Sequence, residues 1–231
     1  MVKMVKELAK MRVWIKFAKE SPMRFLSHLD LMRVWQRAIR RACLPVAYTA
    51  GFNRHPKISF ASALAVGVTS EGEYLDIQFT ERLDGAAFER LDETLPHGLK
   101  MLAWRQVPES TPALMSLVCA AQWELPLQVD ESRCVQEAVQ KLLAASSLTV
   151  ERESKKGRKT VDIRPLIYSL AVDEKASCLS MLLASGGESV VRPGEVLKLL
   201  CLPSVLGRLH RIELYLASGG SFREPMAVLL N

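Results

Sequence analysis

Between Ser27 and Ala42 the apolar residues Leu31, Val34, Trp35, Ala38, Ile39 and Ala42 recur every three or four positions, while Arg33, Gln36, Arg37, Arg40 and Arg41 fill the positions between. That spacing predicts an amphipathic helix with one buried stripe and one cationic face. Ser27 suits the N-cap, with Asp30 three residues on in a capping-box arrangement near the positive end of the helix dipole, and Pro45 closes the helix. A lone helix cannot bury its own stripe, so the rest of the chain must supply a layer for it to lie on.

Alternating segments supply that layer. From Arg12 to Lys19, Val13, Ile15 and Phe17 alternate with Arg12, Trp14 and Lys16, which predicts a strand with one mainly apolar face, ended by Ser21-Pro22. Val46–Thr49, Ile58–Ala61 and Tyr74–Thr80 have strand character, with Gly51, Asn53 and Pro56 marking an irregular stretch between the first two. Asp84–Thr94 predicts a second helix and Lys100–Val107 a further strand. Strand, helix, strand, strand, helix, strand is the split βαβ order of ferredoxin-like folds. Pro108-Glu-Ser-Thr-Pro112 marks a boundary by composition, after which the order recurs. Strand Ala121–Val129, helix Glu131–Ala145, strand Leu148–Ser154, hairpin strands at 160–172 and 178–184, helix Pro193–Leu202 and strand Leu209–Ala217 make the second set. The expected class is α+β, two tandem ferredoxin-like halves at residues 11–108 and 113–218, followed by a Gly-rich tail from Ser218.

At 231 residues and 49% hydrophobic, the chain is long enough for one large or two modest domains, each with a core. Its longest apolar runs, such as Ala61–Val68, fall far short of the roughly 20 residues that span a bilayer. Met1–Lys10 lacks the apolar centre of a secretory signal, so a cytoplasmic location with no membrane is expected. Five cysteines at 43, 119, 134, 178 and 201 form no Cys-x-x-Cys pair, which argues against a disulfide framework or a metal cluster and for reduced, mostly buried thiols. Ser185-Gly-Gly187 reads as a turn, and neither a P-loop nor a dinucleotide fingerprint is present, so no cofactor is expected.

Charge is concentrated rather than spread. Arg24, Arg33, Arg37, Arg40, Arg41, Arg54 and Lys57 face a single acid, Asp30, between residues 24 and 57, a net of +6 that equals the excess of the whole chain. A second cluster, Arg152, Lys155, Lys156, Arg158, Lys159 and Arg164 against Glu153 and Asp162, nets +4 and reads as a hairpin with Gly157 at its tip. Arginine forks match phosphate oxygens, so both clusters point to nucleic acid. Asn53 and His55 belong to the same loop; Asn53 suits a turn held by its own backbone, and Phe52 either plugs the core or offers a platform to an unpaired base.

Two histidines stand within the first cluster. Cationic neighbours favour a neutral imidazole at His28, which can take a proton from a 2′-hydroxyl, with His55 or Tyr48 as partner acid and Lys57 or Arg54 stabilising the phosphorane charge. The structural alternative is that His28 satisfies the helix end and His55 orders the turn.

Phe25-Leu-Ser-His-Leu-Asp-Leu-Met-Arg33, Arg40-Arg41-Ala42, Gly51-Phe-Asn-Arg-His-Pro-Lys-Ile-Ser-Phe60, Ser70-Glu-Gly-Glu-Tyr74 and Lys156-Gly-Arg-Lys-Thr-Val-Asp-Ile-Arg-Pro165 together resemble the bacterial radical-SAM-linked domain of unknown function, over nearly the full chain from Met11. Members of that family occur fused to radical SAM proteins or as separate chains, so the resemblance implies a radical SAM partner. The family loop usually carries Pro where Arg54 stands here. The chain has no Cys-x-x-x-Cys-x-x-Cys triplet, which assigns any cluster chemistry to the partner. Two tandem halves with a basic first helix are also similar in architecture to the repeat-processing endonucleases of CRISPR systems. The expected function is an accessory module that binds RNA, tRNA or rRNA, for a separate radical SAM enzyme; the alternatives are a metal-independent endoribonuclease and a protein-binding adaptor.

Overall fold

Nearly every side chain of the first strand is buried, on both faces, and this requires a layer on each side of it. The computed structural model describes residues 10–128, 130–154, 157–173, 175–187, 190–202 and 205–228. In chain order its elements are β1 (Met11–Lys19), α1 (His28–Arg41), β2 (Ile58–Phe60), β3 (Thr69–Phe79), α2 (Gly85–Glu93) and β4 (Leu99–Val107). There follow the single turn α3 (Leu114–Leu117), β5 (Val118–Pro126), α4 (Ser132–Ala144), β6 (Thr149–Ser154) and β7 (Gly157–Asp162). The chain ends through β8 (Ile167–Asp173), β9 (Cys178–Ala184), α5 (Pro193–Leu199), β10 (His210–Ser218) and β11 (Ser221–Arg223).

The fold is mixed α/β, and the described residues form five helices and one nine-stranded sheet in the order β4-β1-β3-β10-β5-β9-β8, where β2 pairs with β3 and β11 with β10. All its pairings are antiparallel except β3 with β10. β6 and β7 form a separate hairpin. No helix among the described residues is long and apolar enough to cross a membrane.

One core lies between the sheet and the first two helices. Val13, Ile15 and Phe17 of β1 and Leu75, Ile77 and Phe79 of β3 meet Leu31, Trp35 and Ile39 of α1 and Phe88 and Leu91 of α2. Each such side chain contributes about 1.5–3 kcal/mol on burial, and Phe17 meets Trp35 edge-on at 4.9 Å. The opposite face of β1 and β3, carrying Trp14 and Tyr74, joins a second core built from β5, β9, β10, α4 and α5.

Charged residues of that opposite face are buried or half-buried as well, and ion pairs hold them. Arg12 donates to both carboxylate oxygens of Asp76 at 2.8 and 2.6 Å and to the carbonyls of Glu109, Thr111 and Pro112, so the Pro-rich segment is tied back onto β1. Lys16 pairs with Glu213, which also accepts from the Tyr74 hydroxyl at 2.7 Å. Burial pushes the Glu213 carboxyl up, with Lys16 and Tyr74 pulling it back. Arg211 of β10, 1% exposed, is held by Glu73 of β3, 2% exposed. Burial lowers the pKa of Lys19 beside them, and the Glu73 charge opposes that shift.

These pairs sit where the sheet has fewest backbone bonds. β3 and β10 share only the pairs Thr69↔His210 and Ser70↔Arg211. Gly72 lets the two strands come this close: a Cβ there would lie 2.5 Å from the Glu213 Cα.

Four expectations need correction. Val46–Thr49 is no strand; Val46 and Tyr48 make isolated bridges to Phe79 and Pro56, because the pinched loop folds back on itself. The stretch 160–172 is broken by a turn at Arg164–Leu166, which separates β7 from β8. Ser218 opens a hairpin rather than a tail, since Gly219 and Gly220 take the positive φ that a tight turn needs. The cysteines are free but not buried: Cys43, Cys134 and Cys201 are exposed and the other two half-buried.

Arg211→Met alone strands the Glu73 carboxylate and is expected to cost about 3–5 kcal/mol. The double variant Arg211→Met/Glu73→Leu is expected to recover much of that loss. Urea unfolding midpoints check this, and equal or additive losses contradict it.

Candidate nucleic-acid interface

α1 begins and ends on local chemistry. The Asp30 amide donates to Ser27 Oγ at 3.2 Å, and Ser27 Oγ donates to the Asp30 carboxylate at 2.6 Å. That hydrogen bond, with smaller help from Arg33, holds the Asp30 carboxyl below its ordinary range. At the other end Leu44 N donates to the Ile39 carbonyl and Cys43 N to that of Arg40, the paired bonds of a Schellman turn. Cys43, at φ 55, occupies the left-handed position where glycine is usual. Cys201 does the same after α5, at φ 59.

Past the turn, residues 46–57 form a pinched loop tied to β3. Ala47 N donates to the Gln78 carbonyl at 2.8 Å, Lys57 N to Ala47 at 2.7 Å and Thr49 N to His55 at 2.8 Å. The loop faces the C-terminal half of α1 across a cleft of about 420 Å³, lined by Gln36 and Arg40 from the helix and Tyr48 and Arg54 from the loop, over Ile39 and Ile58. Helix and loop, separate in sequence, therefore share one concavity.

The arginines and lysines sort into free and engaged. Arg37, Arg40, Arg54 and Lys57 are exposed, with no side-chain hydrogen bond or ion pair among the described residues. Arg33 pairs with Asp30 at 2.9 Å and Arg41 donates to the Thr94 carbonyl. Arg24 donates to the Gly207 carbonyl at 3.0 Å, with its guanidinium over the Phe25 ring.

Among the described residues, none of the second basic cluster lines this cleft. Arg152 is bound by Glu195 at 2.7 Å and by the Val190 carbonyl, Arg158 pairs with Glu153 at 3.0 Å, and Arg164 donates to the Leu143 carbonyl at 2.9 Å. Lys159 is exposed, and Lys155 and Lys156 lie outside the described residues.

The two histidines are placed differently. His28 meets Phe60 edge-on at 5.0 Å and lines a small crevice with Lys19 and Glu73, whereas His55 sits in the loop, its amide donating to Thr49 Oγ1 at 3.0 Å. Among the described residues, His55 lines neither that crevice nor the cleft beside α1. Asn53 does not hold the loop through its side chain, which is exposed and unbonded among the described residues; Thr49 does that work. Phe52 is fully exposed, not a core plug. Among the described residues no three His, Cys, Asp or Glu side chains converge as metal ligands.

A larger cavity, about 640 Å³, lies between the 61–65 segment, Trp123, the 185–187 turn and α5. Its buried cation, Arg211, stacks over Trp123 at 5.2 Å and is already neutralised by Glu73. Gly186 is required there because any Cβ would overlap the Val118 carbonyl. Sequence reasoning missed Gln36 as a cleft residue; its signal was its place one turn before Arg40 on the same helix face.

These features define a class: a mixed α/β protein in which one side of a large, mostly antiparallel sheet carries a helix with an outward cationic face. The chain belongs to the family described as "uncharacterized protein conserved in bacteria" (DUF2344), whose pattern matches residues 12–193. No curated protein matches it.

Cys43→Gly removes the cost of a left-handed non-glycine residue and is expected to stabilise the fold by about 1 kcal/mol, seen as a raised melting temperature. Asp30 gives a pH test. Its folded pKa lies below the ordinary 3.8, so its contribution is present above that value and fades as pH falls through the folded pKa. In Ser27→Ala the Asp30 midpoint, read by NMR, is expected to move up; an unmoved midpoint contradicts the assigned cause.

Proposed function

We propose that this protein binds RNA, tRNA or rRNA, through the surface formed by α1 and residues 44–58, and does so in the bacterial cytoplasm as an accessory to a separate radical SAM modification enzyme. The observation that carries the RNA reading is the set Arg37, Arg40, Arg54 and Lys57. These four cations come from two elements and stand exposed without partners among the described residues; Arg40 and Arg54 line one cleft with Tyr48, and Phe52 is exposed on the same loop as Arg54 and Lys57. A fold that needed them for stability would pair them, as it pairs Arg12, Arg152 and Arg211. Cations interleaved with exposed aromatics suit a strand whose phosphates and bases are both within reach.

The radical SAM partnership is supported by the motifs around Phe25–Arg33 and Gly51–Phe60, together with the lack of a cluster-binding cysteine triplet in this chain. The same reading takes residues 11–108 and 113–218 as two split βαβ halves fused edge to edge. Its support is that the antiparallel orders β4-β1-β3-β2 and β10-β5-β9-β8 repeat one pattern, with the β6–β7 hairpin inserted in the second.

Charge reversal at Arg37 and Arg40 is expected to weaken RNA binding at least tenfold at moderate salt, and to reduce the slope of log affinity against log salt by about 0.7 per lost phosphate contact. Fluorescence anisotropy across a salt series measures both. Unchanged affinity and slope remove the cationic face from the reading.

A further inference from the structure

We propose that the cleft between α1 and the pinched loop receives a single unpaired nucleotide, so that the protein selects single-stranded RNA over duplex of the same sequence. This deepens the RNA reading and rests on it. Phosphate attraction alone asks only for exposed cations, and a flat basic surface would serve. The cleft offers more. Its volume of about 420 Å³ falls within the range of small-ligand sites. Its floor is apolar, from Ile39, Val46 and Ile58, and the half-exposed Tyr48 ring borders it as a stacking surface. Gln36, without a side-chain partner among the described residues, brings both a donor and an acceptor, which is what reading a base edge requires.

Charge fits the same occupant. Arg40 and Arg54 line the cleft from its two sides of the sequence, and among the described residues no carboxylate lines it. A base with its backbone phosphate has this combination of apolar ring faces, polar edge and anionic tail. A base inside a duplex cannot present it, because its faces are stacked and its edge is paired. Phe52, fully exposed at the loop tip, provides a second ring for a neighbouring base. The loop bonds to Gln78, Thr49 and Ala47 hold the cleft open before any ligand arrives, which keeps the ordering cost low.

The test compares a labelled single-stranded RNA with a blunt duplex of the same sequence and length, for the full chain and for Tyr48→Ala, Tyr48→Phe and Arg40→Gln. The single strand is expected to bind more tightly. Tyr48→Ala is expected to lose roughly five- to a hundredfold in single-strand affinity with the salt slope unchanged, while Tyr48→Phe, which keeps the ring, binds as the parent does. Arg40→Gln is expected to reduce the slope instead. Tyr48→Leu replaces Tyr48→Ala if the latter does not fold. Equal binding of both strands, or full single-strand affinity without the ring, overturns the nucleotide site while leaving the RNA reading in place. Failure of both RNAs to bind overturns the RNA reading, and the nucleotide site with it.

Discussion

The fold turns on a few buried charges at the junction of β3 and β10. Two parallel residue pairs are a thin backbone connection for a sheet of nine strands. Side chains make up the difference: Glu73 holds Arg211, Glu213 holds Lys16 and receives the Tyr74 hydroxyl, and Gly72 lets the strands approach. Desolvating these groups is costly, so the gain is less in net stability than in registration. Any shift of β10 along β3 would separate charges that water cannot reach, and that penalty fixes the relative position of the strands.

The same economy explains which cations remain outside. Arg12, Arg152, Arg208 and Arg211 each satisfy a carboxylate and close a gap between elements. The arginines of the β6–β7 region are engaged in this way, and Arg158 meets Glu153 across its own hairpin. On α1 the apolar stripe does the anchoring, through Leu31, Trp35 and Ile39, and leaves Arg37 and Arg40 with no structural task. The described arginines of the second cluster are therefore all engaged while Arg37 and Arg40 of the first are not, and for Arg152 the deciding partner, Glu195, is distant in sequence.

That distinction marks how far the sequence was legible. α1 could be read almost residue by residue, including its Ser27 cap, because helix periodicity and capping are local. The positions of α2, β4, β5, β9 and β10 followed from local pattern to within about three residues at their ends, whereas β3 was legible only from Tyr74, five residues after it begins. The one mainly apolar face of β1 was legible, but not what covers the other side, where Arg12 and Lys16 are neutralised by Asp76 and Glu213, 64 and 197 residues away. Local pattern cannot reveal such partners. The loop was legible as irregular but not as one wall of a cleft, since its inward turn depends on backbone bonds to Gln78 of β3. Phe52 could not be placed for a related reason: an aromatic in a loop is inside or outside according to how the loop is pinned, and Thr49 pins this one with its tip outward.

β3 serves both regions and keeps them separate. Its first residues, Thr69 to Glu73, meet β10 and carry Glu73, while Leu75 to Ile77 pair with β2, and Leu75, Ile77 and Phe79 pack toward α1, with Asp76 between them turned to Arg12 on the other side. Slipping the strand by one residue would turn Leu75, Ile77 and Phe79 away from the helices and expose an apolar row, so its register is fixed along its whole length. A strand locked in this way transmits position but little motion. The cleft thus inherits a rigid wall from the core, while the groups that line it, Gln36, Arg40, Tyr48 and Arg54, take no part in holding the sheet together. Substitutions among these four can therefore change what the surface binds without first passing through the stability of the fold.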